Sequence, residues 1–146
     1  MFKKFFLLKP IPVNQDLGLL ALRLIAVTPI LLKHGLEKTI GFSDMWARMA
    51  AHPMDPIGIG PLPTLLYAAF ADGICTTLMI LGLGTRWAAI FSFINLFVAW
   101  AFVHHFMFFG HQADHGELMV IYLAVMVTLF FAGPGKYSLD SQLIDK

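Results

Sequence analysis

Charge is scarce in this chain. Lys, Arg, Asp and Glu make up 13% of its 146 residues, roughly half the share of an ordinary soluble domain. Ten Lys and Arg against nine Asp and Glu leave a net charge of +1. So small a positive excess gives no electrostatic footprint for a polyanion, which excludes nucleic acid as a partner. Cysteine is scarcer still. Cys75 stands alone, so an internal disulfide, a CxxC thiol relay and a cysteine-based zinc site are excluded. Flavin, nicotinamide and iron–sulfur motifs are also missing; any redox chemistry here must take its electrons from a partner. There is no internal repeat and no low-complexity tract.

What fills the space is apolar. Hydrophobic residues make up 58% and the mean hydropathy is +0.75. A domain this small has too much surface to hide that much apolar side chain from water, so its solvent is lipid. Four apolar stretches approach or reach the ~20 residues that a helix needs to cross a bilayer. They run over 17–36, 62–83, 87–109 and 117–132. The fold class expected is all-α: an integral-membrane four-helix transmembrane bundle forming one domain over 1–146. Asp16 is placed to cap the first helix, and Gly133-Pro134-Gly135 to stop the fourth. The turn Gly82-Leu83-Gly84-Thr85-Arg86 allows only a tight antiparallel hairpin of helices two and three.

Two segments lie outside the spans. Residues 1–13 begin with Lys3 and Lys4, but Lys9, Pro10 and Pro12 cut the apolar run short. They read as an uncleaved basic segment at the membrane interface. Residues 39–61 form the one long connection, with a short helix expected over 43–50. Its Trp46 suits the headgroup level. Lys3, Lys4, Lys9, Arg86, Lys136 and Lys146 fall on one side of the spans, and Lys33, Lys38 and Arg48 on the other. The positive-inside rule then puts both termini in the cytoplasm. All six histidines fall at or beyond the outer ends of the helices.

Ionisable residues inside a span are costly and usually face the bundle interior with a partner. Counting ~1.5 Å per residue from the cytoplasmic ends puts Arg23 at roughly 9 Å, Asp72 at roughly 17 Å, and His34, His104 and Glu117 near 25 Å. Asp72 is too deep and too short to reach water, so it needs an interior partner; Arg23, Lys33 and His34 qualify. Arg23 and His34 lie eleven residues apart, about three full turns, with Lys38 one turn further. These positions define a candidate polar core of Arg23, His34, Lys38, Asp72, His104 and Glu117. Asn95 falls on the face of its helix opposite His104 and is expected to bond between helices rather than join the cluster.

Two chemistries fit these groups. A membrane carboxylate below His and Glu can relay protons, and the same groups can hydrogen-bond a quinone carbonyl. Fourteen Phe can line a groove for an isoprenoid tail. The rival is metal: His104, His105, His111 and His115, with Asp114 and Met107 nearby, form a dense set of donors suited to copper or zinc. Bland roles compete with both. Arg23 can snorkel to headgroups, and Glu117 can serve the dipole of its helix.

Six pieces of sequence carry a resemblance. They are Leu22-Arg23-Leu24, His34-Gly35-Leu36-Glu37-Lys38, Asp55-Pro56-Ile57-Gly58-Ile59-Gly60, Gly82-Leu83-Gly84-Thr85-Arg86-Trp87, Gly116-Glu117 with Tyr122, and Gly133-Pro134-Gly135-Lys136-Tyr137-Ser138-Leu139-Asp140. In this order they resemble the DoxX family of small four-helix membrane proteins. The family pattern carries Glu where this chain has Asp72. The resemblance implies a multi-pass protein of the bacterial inner membrane. Relatives are associated with thiosulfate:quinone oxidoreductase, with oxidative-stress complexes and with metal-responsive operons. The expected function is a membrane subunit of a quinone- or thiol-linked redox system, fed by a soluble or membrane redox partner and not catalytic alone. The alternatives are metal or metallophore handling at the outer face, or an anchor for a partner. Ala69 and Gly73 offer a small-xxx-small face for a weak homo-oligomer or for packing inside the bundle.

Overall fold

The computed structural model describes residues 12–52, 54–106 and 116–144. Among them the secondary structure is helical, with no strand. Helix α1 spans Gln15–Thr39, α3 Pro61–Leu81 and α4 Thr85–Val103, and each is long and apolar enough to cross a membrane. A shorter apolar helix, α5, spans Gly116–Ala132. Two small helices complete the set, α2 over Phe42–Ala51 and α6 over Leu139–Ile144.

The starts and stops follow local chemistry. The Asn14 side chain, not Asp16, caps α1 by accepting from the Leu17 amide at 3.0 Å. Asp16 in the next turn instead accepts from the Lys136 amide at 2.8 Å. Pro61 opens α3, where its missing N–H costs nothing. Helix α3 ends at Gly82, in a left-handed conformation with φ 73°. The Gly82 and Leu83 amides close back on the carbonyls of Met79 and Leu78, the double bond of a Schellman stop. A side chain at Gly82 would also run into Arg23 and Ser138.

The long helices are not regular. Wide turns, with i→i+5 hydrogen bonds, occupy Arg23–Val27 and Leu31–Gly35 in α1, Phe70–Cys75 in α3 and Ala99–Val103 in α4. In α1 they flank Pro29, which has no N–H to donate and crowds the carbonyl one turn back. In α3 the hydroxyls of Ser92 and Thr76 take the carbonyls of Ala71 and Asp72. Such replacement bonds are what an irregular helix needs in lipid.

The four apolar helices run alternately up and down. At one end, the hairpin end, lie the start of α1, the Gly82–Gly84 turn and the tail after α5. At the other, the loop end, lies α2. The core contains Val27 and Ile30 of α1, Met79 of α3, Leu96 of α4, and Met126 and Leu129 of α5. The outward faces carry exposed Ile25, Leu32, Ile74, Ile94, Ile121 and Phe131. A surface so apolar on every side fits lipid rather than water.

One span differs from its expected bounds. Helix α4 stops at Val103, short of Phe109, and His104 lies just past its end. The Ala69 and Gly73 face is used inside the bundle: both residues are buried, and a side chain at Gly73 would strike Thr39 of α1. That face is therefore not free for a second copy. Residues 1–11 and 107–115, with the basic N-terminal segment, His111 and His115, lie outside the described residues.

Candidate functional site

Helices α1 and α3 cross with almost no gap. At Gly35 even a methyl group would overlap the backbone carbonyl of Asp72. Only glycine permits that approach, which is how helices gain contact in lipid. The crossing brings the last turn of α1 over the wide turn of α3. There the Lys38 ammonium donates to the Asp72 carboxylate, forming an ion pair. From α4, Asn95 Nδ2 donates to the other carboxylate oxygen at 2.8 Å. Asp72 is thus held by one residue from each of two neighbouring helices. Its side chain is 5% exposed, against 22% for Lys38, so the ion pair opens to its surroundings through the lysine.

Of the six residues of the expected polar core, the structure joins two directly. Lys38 and Asp72 form the pair. His34, half-buried one turn earlier on α1, lies within Coulombic reach of both. Glu117 is exposed in the first turn of α5. His104 is half-buried at the end of α4.

Arg23 belongs elsewhere. It is fully buried at the hairpin end, where its guanidinium donates to the carbonyls of Met79 at 3.5 Å and Ile80 at 3.4 Å. The same group donates to the carbonyl of Tyr137 in the tail. It neither snorkels to headgroups nor pairs with Asp72; it ties the end of α3 to the tail. Asp140 closes the same knot from the other side, accepting from the amides of Gly84 at 2.8 Å and Thr85 at 3.3 Å at the start of α4.

Asn95 bonds between helices, as its position predicts, but the group it bonds is Asp72, so it joins the cluster from which its helical phase excludes it. An uncharged amide within a span is itself the signal, because it too needs a partner.

A metal centre gains no support from the residues in view. His105 is exposed, His111 and His115 lie outside the described residues, and no group of three or more His, Cys, Asp or Glu among those described could hold an ion. At the loop end α2 lies across the bundle with Met49 buried and Trp46 exposed. An exposed pair of Arg48 with Glu37 at 2.9 Å links it to α1.

The DoxX family model matches residues 18–105, which carry the first three long helices and the Lys38–Asp72–Asn95 cluster. A relative from Haemophilus influenzae, described as an uncharacterized protein, is 32% identical over 87 residues, covering 58% of this chain. The aligned part spans 65% of that relative's own length. No solved structure matches. With the match covering more than half of the chain, and with an apolar helical bundle in hand, this chain is a membrane protein of the DoxX family.

Proposed function

We propose that this chain is a multi-pass membrane subunit of a quinone- or thiol-linked redox system, and that the Lys38–Asp72–Asn95 cluster handles its protons. The observation that carries the reading is the buried carboxylate. A charged pair inside a membrane bundle is expensive and marks ion or proton pathways more often than scaffolding. The pair sits where three helices meet, with an imidazole one turn away on α1. Lysine and histidine give the carboxylate a graded route toward the loop end. Quinone reduction takes up two protons with its two electrons, and dithiol oxidation releases two of each. The chain has no electron-carrying motif, so a soluble or membrane redox partner supplies the electrons. The setting proposed is the bacterial inner membrane, with both termini in the cytoplasm and the loop end outside.

Redox-induced infrared difference spectroscopy tests the reading. Purified protein is reconstituted with a short-chain ubiquinone, and the quinone is cycled electrochemically. A carboxyl band that follows the quinone redox state and disappears in Asp72→Asn is expected. A difference spectrum in which no carboxyl band depends on residue 72 overturns the proton-handling role.

A further inference from the structure

The loop end of the bundle is uneven. Helix α3, Pro61–Leu81, measures about 30 Å by its rise per residue, which matches the hydrocarbon core of a bilayer. Asp72 and Gly73 lie about halfway along it. Helix α1 is shifted against α3 toward the hairpin end. Arg23 meets the last turn of α3, at Met79 and Ile80. Gly35 lies on the Asp72 backbone, and the methyl group of Thr39, the last residue of α1, lies against Gly73. Helix α1 thus ends near mid-depth, whereas α4 meets Asp72 at Asn95 and runs on to Val103. The chain then turns at Ile40 and Gly41, and α2 packs against the first part of α3, over Pro61–Ala69.

Charges lie on the outside of this stretch. Lys33 and Glu37 of α1 and Arg48 of α2 are exposed, and Glu37 pairs with Arg48 while 45% and 61% of the two side chains stay exposed. At the same depth, α3 and α4 turn Ile74 and Ile94 outward. A charged side chain inside a bilayer faces the bundle interior or water, and a break in a helix at that depth must be buried or line a water-filled space. Here the pair is exposed and so is the corner, with Ile40 81% exposed. We propose that the loop-end leaflet is indented along α1 and α2, and that water enters there as far as Lys33 and Glu37, next to Lys38. A protein partner fits the strip less well than water, because Glu37 and Arg48 already neutralise each other and leave little charge to complement. The indentation carries solvent to the more exposed member of the Lys38–Asp72 pair. It rests on where the helices end and not on the redox reading, so the two fail separately.

Depth-matched cysteine labelling tests it. The full chain carrying Cys75→Ala, which removes the one native thiol, is placed in phosphatidylcholine nanodiscs, where both faces meet solvent. Lys33→Cys, Glu37→Cys, Ile74→Cys and Ile94→Cys are each added singly and treated with a charged, membrane-impermeant maleimide. The first two are expected to label at least about 10-fold faster than the last two, because the reagent needs a hydrated thiolate. Should Cys75→Ala fail to fold, the buried native thiol is kept and its own labelling is subtracted. If residues 33 and 37 label as slowly as 74 and 94, the strip lies in lipid and the indentation is wrong, while the redox reading stands. If all four label fast, nothing distinguishes the α1–α2 side and the indentation is equally overturned. Fast labelling at 33 and 37 alone, with no carboxyl band that depends on residue 72 in the infrared experiment, keeps the indentation and removes the proton-handling role.

Discussion

Removing the Asp72 carboxylate tests whether the buried pair holds the bundle together. In Asp72→Ala the Lys38 ammonium loses its counter-ion and Asn95 loses its acceptor. Breaking a buried pair from one side typically costs about 3–5 kcal/mol. Lys38 keeps 22% exposure and can swing its long stem toward the loop end, which returns part of that loss. We expect a net cost of about 2–4 kcal/mol, or a midpoint lowered by roughly 6–12 °C for a chain of this size. Asp72→Asn keeps one acceptor oxygen but turns the other into an NH2 donor, so one neighbour loses its acceptor; it should lose less than Asp72→Ala. The decisive comparison is Lys38→Met with Asp72→Ala together. With both charges gone nothing is left buried and unpaired, so the double variant should melt above Asp72→Ala. Thermal unfolding in detergent, followed by circular dichroism, measures the wild type, Asp72→Asn, the single variants Asp72→Ala and Lys38→Met, and the double variant. If Asp72→Ala melts with the wild type, or the double variant loses the plain sum of the two single losses, the pair contributes no coupling and the account of the crossing is wrong.

Other perturbations follow from the same geometry. Gly35→Ala places a methyl group on the Asp72 backbone, and Gly73→Ala drives one into the Thr39 methyl, held on a stiff β-branched side chain. Each should cost about 1–3 kcal/mol, read as midpoints in detergent. Arg23→Met keeps the volume but leaves the carbonyls of Met79, Ile80 and Tyr137 without their donor. A loss of about 2–3 kcal/mol and faster proteolysis in 133–144 are expected; unchanged cleavage would show that the tail is held by other means. Asp140→Ala removes the cap on α4 and should cost about 0.5–2 kcal/mol, while Asp140→Asn should stay within a few tenths. Reporter fusions at residues 55 and 85 should report opposite sides of the membrane, with 85 cytoplasmic; a cytoplasmic signal at 55 would invert the proposed orientation.

Much of the architecture was legible because lipid simplifies the code. Apolar runs of sufficient length mark helices, and Gly-Leu-Gly between two of them leaves no choice but a hairpin. Asp72 was legible as an interior residue for the same reason. Its partner was not. Phase was counted on a regular helix, and that count made Arg23 and His34 share a face. The structure puts two wide turns between Arg23 and Gly35, and each breaks the 3.6-residue bookkeeping. Depth counted along the axis also ignored reach: Lys38 sits at the end of α1, yet its long side chain extends to Asp72. Arg23 found its partners among backbone carbonyls, which carry no mark in sequence. The tail that supplies one of them lies 114 residues away.

The two ends of the bundle divide the sequence pieces between them. Leu22-Arg23-Leu24, the Gly82–Arg86 turn and the Gly133–Asp140 tail meet at the hairpin end, where Arg23 and Asp140 spend their charge on backbone groups. Charges engaged by backbone carbonyls and amides are poor candidates for chemistry, because any change of state loosens the fold. Gly35, Lys38 and Asp72 meet toward the loop end, where the close helix crossing sets the distance between the charges. A crossing tight enough to exclude a methyl group at Gly35 brings the end of α1 onto α3, so the short reach of aspartate suffices for Lys38. A glutamate at this position would push the ammonium outward by about one methylene. Asp72 therefore draws Lys38 inward and leaves it the more exposed partner. The charges that hold the fold sit at one end and a half-buried, more exposed charge nearer the other, the arrangement that the proposed proton-handling role calls for.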